Sequence, residues 1–237
     1  MRFFIFTIFL LVGSPVLSQK TYTYVTDKDT DSMFDKSYRK YVSGFFSDDS
    51  GISRNAVLDT VSLMRSRYSA EVYMASSENT SFTKLLSKMG EARKYETSLE
   101  VEHSRYFGHP EIFKEPKGCI FPDIKNHPVL KRNGMKWSSE IFCQGTYGFY
   151  YSRELSTSEI LARFKSYHTS DNTLNFGDVI LGRYLSSYHH KNAIERFGNG
   201  LFGSKTYYLI SKEYNDTKKK WHYDVYMCHS VIMLKKI

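Results

Sequence analysis

The side chains best suited to chemistry in this chain are eight histidines and three cysteines. His189 and His190 are adjacent, so they point roughly 100° apart on a helix and to opposite faces of a strand, and neither arrangement chelates as i,i+4 spacing would. His103 and His109 flank a Ser-Arg-Tyr-Phe-Gly stretch, and His222 and His229 would fall on opposite faces of one strand. The chain contains no H-E-x-x-H and no C-x-x-C. The histidines therefore read as structural or surface residues, with no metal ligand set. Nucleophile signatures such as G-x-S-x-G are absent as well. An enzyme would need a site assembled from distant stretches. A hydrolase built on His103, His109, His189 and Glu154 is the form this would take, recognisable by two of them meeting in one cleft with shifted pKa values.

Cys119, Cys143 and Cys228 could form one disulfide and leave one thiol over, and the sequence does not choose the pair. Gly198, Gly200 and Gly203 spell G-x-G-x-x-G, with Asp224 further on. A dinucleotide loop must follow a strand and open a helix so that the helix N-terminus meets pyrophosphate. Here the preceding segment reads as a helix and the following one as a strand. The motif reads as a turn, and no cofactor is expected.

Composition narrows the class. The 237 residues are 41% hydrophobic and 24% charged, too apolar for disorder. A mean hydropathy of −0.45 is too polar for a polytopic membrane protein. The formal net charge is +8. The basic runs Lys218-Lys219-Lys220 and Lys235-Lys236 are shorter than the patches that carry nucleic-acid binding and read as a solvated turn and tail. An anionic glycan is the alternative partner, and no nucleic acid is expected.

The N-terminus is the most specific signal. Arg2 precedes an apolar run from Phe3 to Val12, Gly13-Ser14-Pro15 breaks it, and Val16-Leu17-Ser18 supplies a small-residue exit. This is the plan of a secretory signal peptide over residues 1–18, too short for a comfortable membrane span. A secreted, extracellular chain starting near Gln19 is expected, without a transmembrane segment. Sequons at Asn79 and Asn215 agree with that route.

The elements that must position these groups can then be placed. Residues 19–50 lack sustained periodicity and read as an extended leader before a single domain over 51–237. Ser53 caps a helix whose stripe is Val57, Leu58, Val61, Met64 and Tyr68, leaving Ser62, Arg65, Ser66 and Ser69 mostly off that face. A second helix begins near Ser81. Residues 96–150 read as loops with short strands around Ile120 and Phe149-Tyr150-Tyr151. Ser156 and Glu159 form a capping box for a third helix, and a further stripe runs Val179, Ile180, Tyr184, Leu185, Tyr188. Thr206–Ser211 and Trp221–Met233 are β-branched and aromatic and read as a hairpin. Helices followed by a terminal hairpin give an α+β class.

The segment Asn55–Ser69 resembles the opening helix of the CAP superfamily, the cysteine-rich secretory, antigen-5 and pathogenesis-related proteins, where it carries H-N-x-x-R and then Ser. Met74–Asn79 with Phe82–Leu86 is similar to the loop and second helix that follow. Ile194–Gly200 resembles the family's I-G-C-G turn, and Tyr223–Cys228 its last cysteine-bearing strand. The match covers about a third of the chain, at its two ends. Val61 stands where the family has its first cavity histidine, Ser62 replaces the asparagine, and Asn199 replaces a cysteine. The resemblance thus implies a three-layer α-β-α sandwich with a central antiparallel sheet, from which the family's His/Glu cavity tetrad is lost. It implies helices 54–70 and 81–95 on opposite faces of that sheet, and a secreted, non-enzymatic protein binding a lipid, a sterol or an extracellular protein. Arg65 is expected to be a buried charge paired with a carboxylate. The alternatives are the hydrolase above and a basic, Tyr-rich extracellular-matrix module.

Overall fold

A computed structural model describes residues 20–47, 51–78, 128–135, 139–169 and 174–234. The signal peptide, the sequon at Asn79, the helix expected near Ser81, the strand around Ile120, Cys119, His103 and His109 lie outside these residues.

The stretch read as an extended leader is instead structured. It forms strand β1 (Thr21–Thr26) and helix α1 (Lys28–Phe46). Asp27 caps α1, accepting from the Asp29 amide at 3.2 Å and the Thr30 hydroxyl at 2.7 Å. Phe34, Tyr38 and Val42 recur every fourth residue along α1 and are fully buried. Met33, Tyr41, Phe45 and Phe46 lie on the same helix, and burial of Thr30, Asp31 and Ser37 beside Phe34, Tyr38 and Val42 blurs the periodic signal.

Then come the two-residue strand β2 (Ser53–Arg54), helix α2 (Ala56–Glu78) and the short α3 (Pro128–Arg132). Asn55, not Ser53, caps α2: its side-chain oxygen accepts from the Val57 and Leu58 amides at 2.9 and 3.2 Å. The region expected to be mostly loops contains the long strand β3 (Ser139–Tyr151). Next are α4 (Thr157–His168), with the expected Ser156/Glu159 capping box, and α5 (Phe176–Leu185), with a second box from Asn175 and Asp178. The stripe read as one helix through Tyr188 is two, because α6 (Tyr188–Phe197) restarts after Ser186-Ser187. The hairpin of β4 (Leu201–Asn215) and β5 (Lys220–Leu234) closes the described chain.

The strands form one sheet in the order β1-β4-β5-β3, antiparallel throughout, with β2 adding a short parallel pair to β4. Alternation along the strands feeds two layers. Phe202, Tyr208, Tyr223, Val225 and Met227 face α1, α4, α5 and α6, and pack with Phe34, Tyr38, Phe164, Ile180 and Tyr184. Leu209, Tyr226 and Cys228 face the other way, with Ala70 of α2. The fold is therefore α+β, a three-layer α-β-α sandwich in which α2 and the strand bearing Cys228 belong to one body.

α2 lies unusually close to the sheet. A Cβ on Gly203 would collide with the main chain of Leu58 and Asp59, so only glycine permits this approach. At that distance serines replace apolar side chains: Ser62 donates to the Gly203 carbonyl at 2.9 Å and Ser66 to that of Lys205 at 2.8 Å. The sheet-facing side of α2 thus includes Ser62, Arg65, Ser66 and Ser69, all buried although the expected stripe leaves them mostly off its face, together with Leu58 and Val61 of that stripe.

β1 and β2 leave a gap along the edge of β4, and charged side chains fill it. The Ser204 amide donates to Asp59 at 2.9 Å, Arg54 donates to the Ser204 carbonyl at 2.9 Å, and the Thr206 amide donates to Asp31 at 2.8 Å. Every one of these main-chain groups would otherwise be an unpaired edge group.

Candidate functional site

Two polar clusters sit on opposite faces of the sheet. On the α2 face, the Arg65 guanidinium donates to Glu140 at 2.9 Å and to the Ser69 hydroxyl at 2.8 Å, and stacks over the Phe142 ring with its centre 4.5 Å away. Ser230 donates to the same Glu140 oxygen at 3.4 Å. The second carboxylate oxygen, Oε2, is buried with no hydrogen-bond partner. Burial of a half-satisfied carboxylate pushes the Glu140 pKa up to about 7, although Arg65 pulls the other way. The carboxylate partner expected for Arg65 is therefore present. Cys228 lies beside Ser66 and Ser69, and burial lifts its thiol to about 11.

On the helical face, register places Cys143 of β3, His229 of β5 and Thr206 of β4 side by side in one rung, because directly opposed residues share a face. Tyr184 of α5 reaches down to it. Its hydroxyl lies 2.8 Å from both the carbonyl oxygen and Nδ1 of His229. A hydroxyl has one proton, so donation to the carbonyl assigns the Nδ1–H tautomer to His229, with Nδ1 donating to the tyrosine oxygen. Nε2 is then a bare acceptor, and it is buried without a partner. The Phe34 ring lies 4.2 Å away, centre to centre. Burial pushes the His229 pKa down to about 3 and lifts the Cys143 thiol, which is hydrogen-bonded to Tyr184, to about 12. Burial raises Tyr184 too. Cys143 and Cys228 point to opposite faces, and both are free thiols.

Chemically this rung holds a thiol, a phenol and an imidazole, all in their neutral forms. A thiol far above its ordinary pKa is not a nucleophile, and an imidazole far below its own is not a general base near neutral pH. Sequence pattern placed His229 on a strand but not beside Cys143; only the pairing register does that.

Of the hydrolase candidates within the described residues, Glu154 is held in an ion pair by Lys212, and His189 meets the ring of Tyr188. No hydrogen bond or ion pair joins Glu154 to His189. His222 lies on the face opposite His229, as alternation requires, between Glu213 at 3.3 Å and Asp224 at 3.5 Å. No group of three or more His, Cys, Asp or Glu able to hold a metal occurs among the described residues. The G-x-G-x-x-G stretch runs from the end of α6 into β4, the reverse of the dinucleotide arrangement. Val61 is fully buried, and Ser62 bonds the sheet main chain.

The accessible side chains of interest gather at the hairpin end of the sheet. Tyr150 stacks on His222 with centroids 4.6 Å apart, and Lys218 sits 3.8 Å over its ring. On the other face Arg163 lies 4.3 Å over Tyr151, and Tyr147 stacks on Tyr167 at 4.0 Å. Phe149-Tyr150-Tyr151 and Tyr207-Tyr208 thus divide between the two faces, as strands require. No described helix is long and apolar enough to cross a membrane. No family model matches this chain, and no similar curated protein or solved structure was found.

Proposed function

We propose that this chain is a secreted, non-enzymatic binding protein of CAP-like build, whose partner is a lipid, a sterol or an extracellular protein. One observation supports the non-enzymatic part: Tyr184, His229 and Cys228 are fully buried, out of reach of a substrate. The layer order agrees with what the CAP resemblance implies, and the signal-peptide pattern of residues 1–18 supports export.

The test is to express the full chain with its own leader in secretory cells, recover it from the medium and analyse its organic-solvent extract by mass spectrometry. A stoichiometric lipid or sterol supports the reading. An empty protein in the medium moves the partner to the protein class, and retention inside the cell removes secretion. A matrix-binding role is favoured by Lys218, Lys219 and Lys220 at the exposed hairpin tip. It requires retention on heparin at low salt.

A further inference from the structure

From the hairpin tip we infer a modification site: Asn215 is the acceptor of an N-linked oligosaccharide. The inference rests on the proposed secretion, since the transfer takes place along the export route. Asn215 ends β4 and pairs with Lys220 at the start of β5. The four residues between them, Asp216 to Lys219, are all exposed, and Lys219 takes a left-handed conformation with φ 52° to close the turn. The Asn-Asp-Thr sequon therefore runs from the half-buried Asn215 into the exposed turn of the β4–β5 hairpin.

The Asn215 side chain is held by the turn it opens. Its oxygen accepts the Lys218 amide N–H at 2.8 Å, so the turn engages the amide through its oxygen and not through the acceptor nitrogen Nδ2. Thr217, whose hydroxyl completes the sequon, is exposed. The co-substrate is an oligosaccharide linked to a polyprenyl lipid through pyrophosphate. A bond forms between Nδ2 and sugar C1, the C1–oxygen bond to pyrophosphate breaks, the lipid pyrophosphate leaves, and one amide proton passes to the transferase. The product sits beside Lys218, Lys219 and Lys220 and shields them. A partner would then dock elsewhere than the tip, which sets this site against the matrix-binding role.

The experiment expresses the full chain twice in mammalian secretory cells, once with its own leader and once with a proven secretory leader replacing residues 1–18. Peptides covering residue 215 are analysed after enzymatic deglycosylation in heavy-oxygen water, which marks a formerly glycosylated asparagine as labelled aspartate. Labelling at Asn215 with both leaders is the expected result. It should disappear in Asn215→Gln and Thr217→Ala and persist in Thr217→Ser. Labelling with the borrowed leader alone supports the acceptor site and overturns secretion by the native leader. An unlabelled Asn215 peptide in protein exported by the borrowed leader overturns the proposal, whatever happens at Asn79.

Discussion

Arg65 of α2 and Glu140 of β3 meet at 2.9 Å with side chains only 4% and 2% exposed, so one buried ion pair fastens a helix to the outer strand of the sheet. Two desolvated charges are tolerated because they share hydrogen bonds with Ser69 and Ser230 and because Phe142 covers the guanidinium. Removing one partner strands the other. Arg65→Met should cost about 3–5 kcal/mol in a urea titration. Arg65→Met combined with Glu140→Leu should recover most of that loss, because both desolvation costs vanish together. If the double variant is as unstable as the single one, the packing of α2 and not the charge pair is what holds this contact.

The same carboxylate gives stability a pH dependence of definite sign. Glu140 has a folded pKa of about 7 against an ordinary 4.5, so keeping it ionised costs stability as pH rises through that interval. His229 acts oppositely. Its folded pKa of about 3 lies below the ordinary 6.5, so its contribution is complete above 6.5 and is lost as pH falls. Asp31, also raised by burial, sides with Glu140, while His168 and His190, both lowered by burial, side with His229. The opposing slopes partly cancel in the native chain. Glu140→Gln should uncover the histidine slope, making stability rise more steeply between roughly pH 4.5 and 7. Parallel urea-midpoint profiles for native and Glu140→Gln protein would contradict this.

The limits of what the sequence discloses have physical causes. The hairpin was readable because β-branched and aromatic residues fill both strands, and the cap of α4 because Ser156 and Glu159 are local partners. The sheet-facing side of α2 was readable only at Leu58 and Val61. Hydrophobic periodicity assumes that helices bury apolar side chains, whereas Ser62 and Ser66 bond the carbonyls of a sheet too close for anything larger. Only the end of β3, Phe149-Tyr150-Tyr151, was readable, because Gly145 and Gly148 made the rest read as loop. The rung of Cys143, His229 and Thr206 depends on strand register, a long-range property no local pattern encodes.

Gly203 offers a sharp check on that close approach. Alanine there would drive its Cβ into the main chain of Leu58 and Asp59, which cannot yield as a side-chain tip would. Gly203→Ala should therefore destabilise by at least about 1–3 kcal/mol. Gly182, inside α5, meets nothing within 4 Å of an added Cβ. Gly182→Ala should raise stability by about 0.5–1 kcal/mol through helix propensity. Thermal melts of the two variants should move in opposite directions, and a neutral Gly203→Ala would mean that α2 can lift off β4 at little cost.

The thiols provide a direct chemical readout of the neutral rung. Cys143 is lifted to about 12 and Cys228 to about 11 from an ordinary 9.0, so the thiolate fraction of each falls by orders of magnitude, roughly a thousandfold for Cys143. Alkylation of the native protein near pH 8, followed by peptide mapping, should leave both cysteines largely unmodified while the urea-unfolded chain labels at both. Tyr184→Phe makes the test specific. It removes the hydroxyl that bonds the thiol and the His229 main chain, leaving the His229 carbonyl and Nδ1 both short of a partner, with an expected loss of about 1–3 kcal/mol. Because the thiol stays partly covered by the core packed around it, its labelling should remain slow until the variant unfolds. Rapid native-state labelling of Cys143 would show that the rung opens to solvent and that its thiol is reactive in the folded protein.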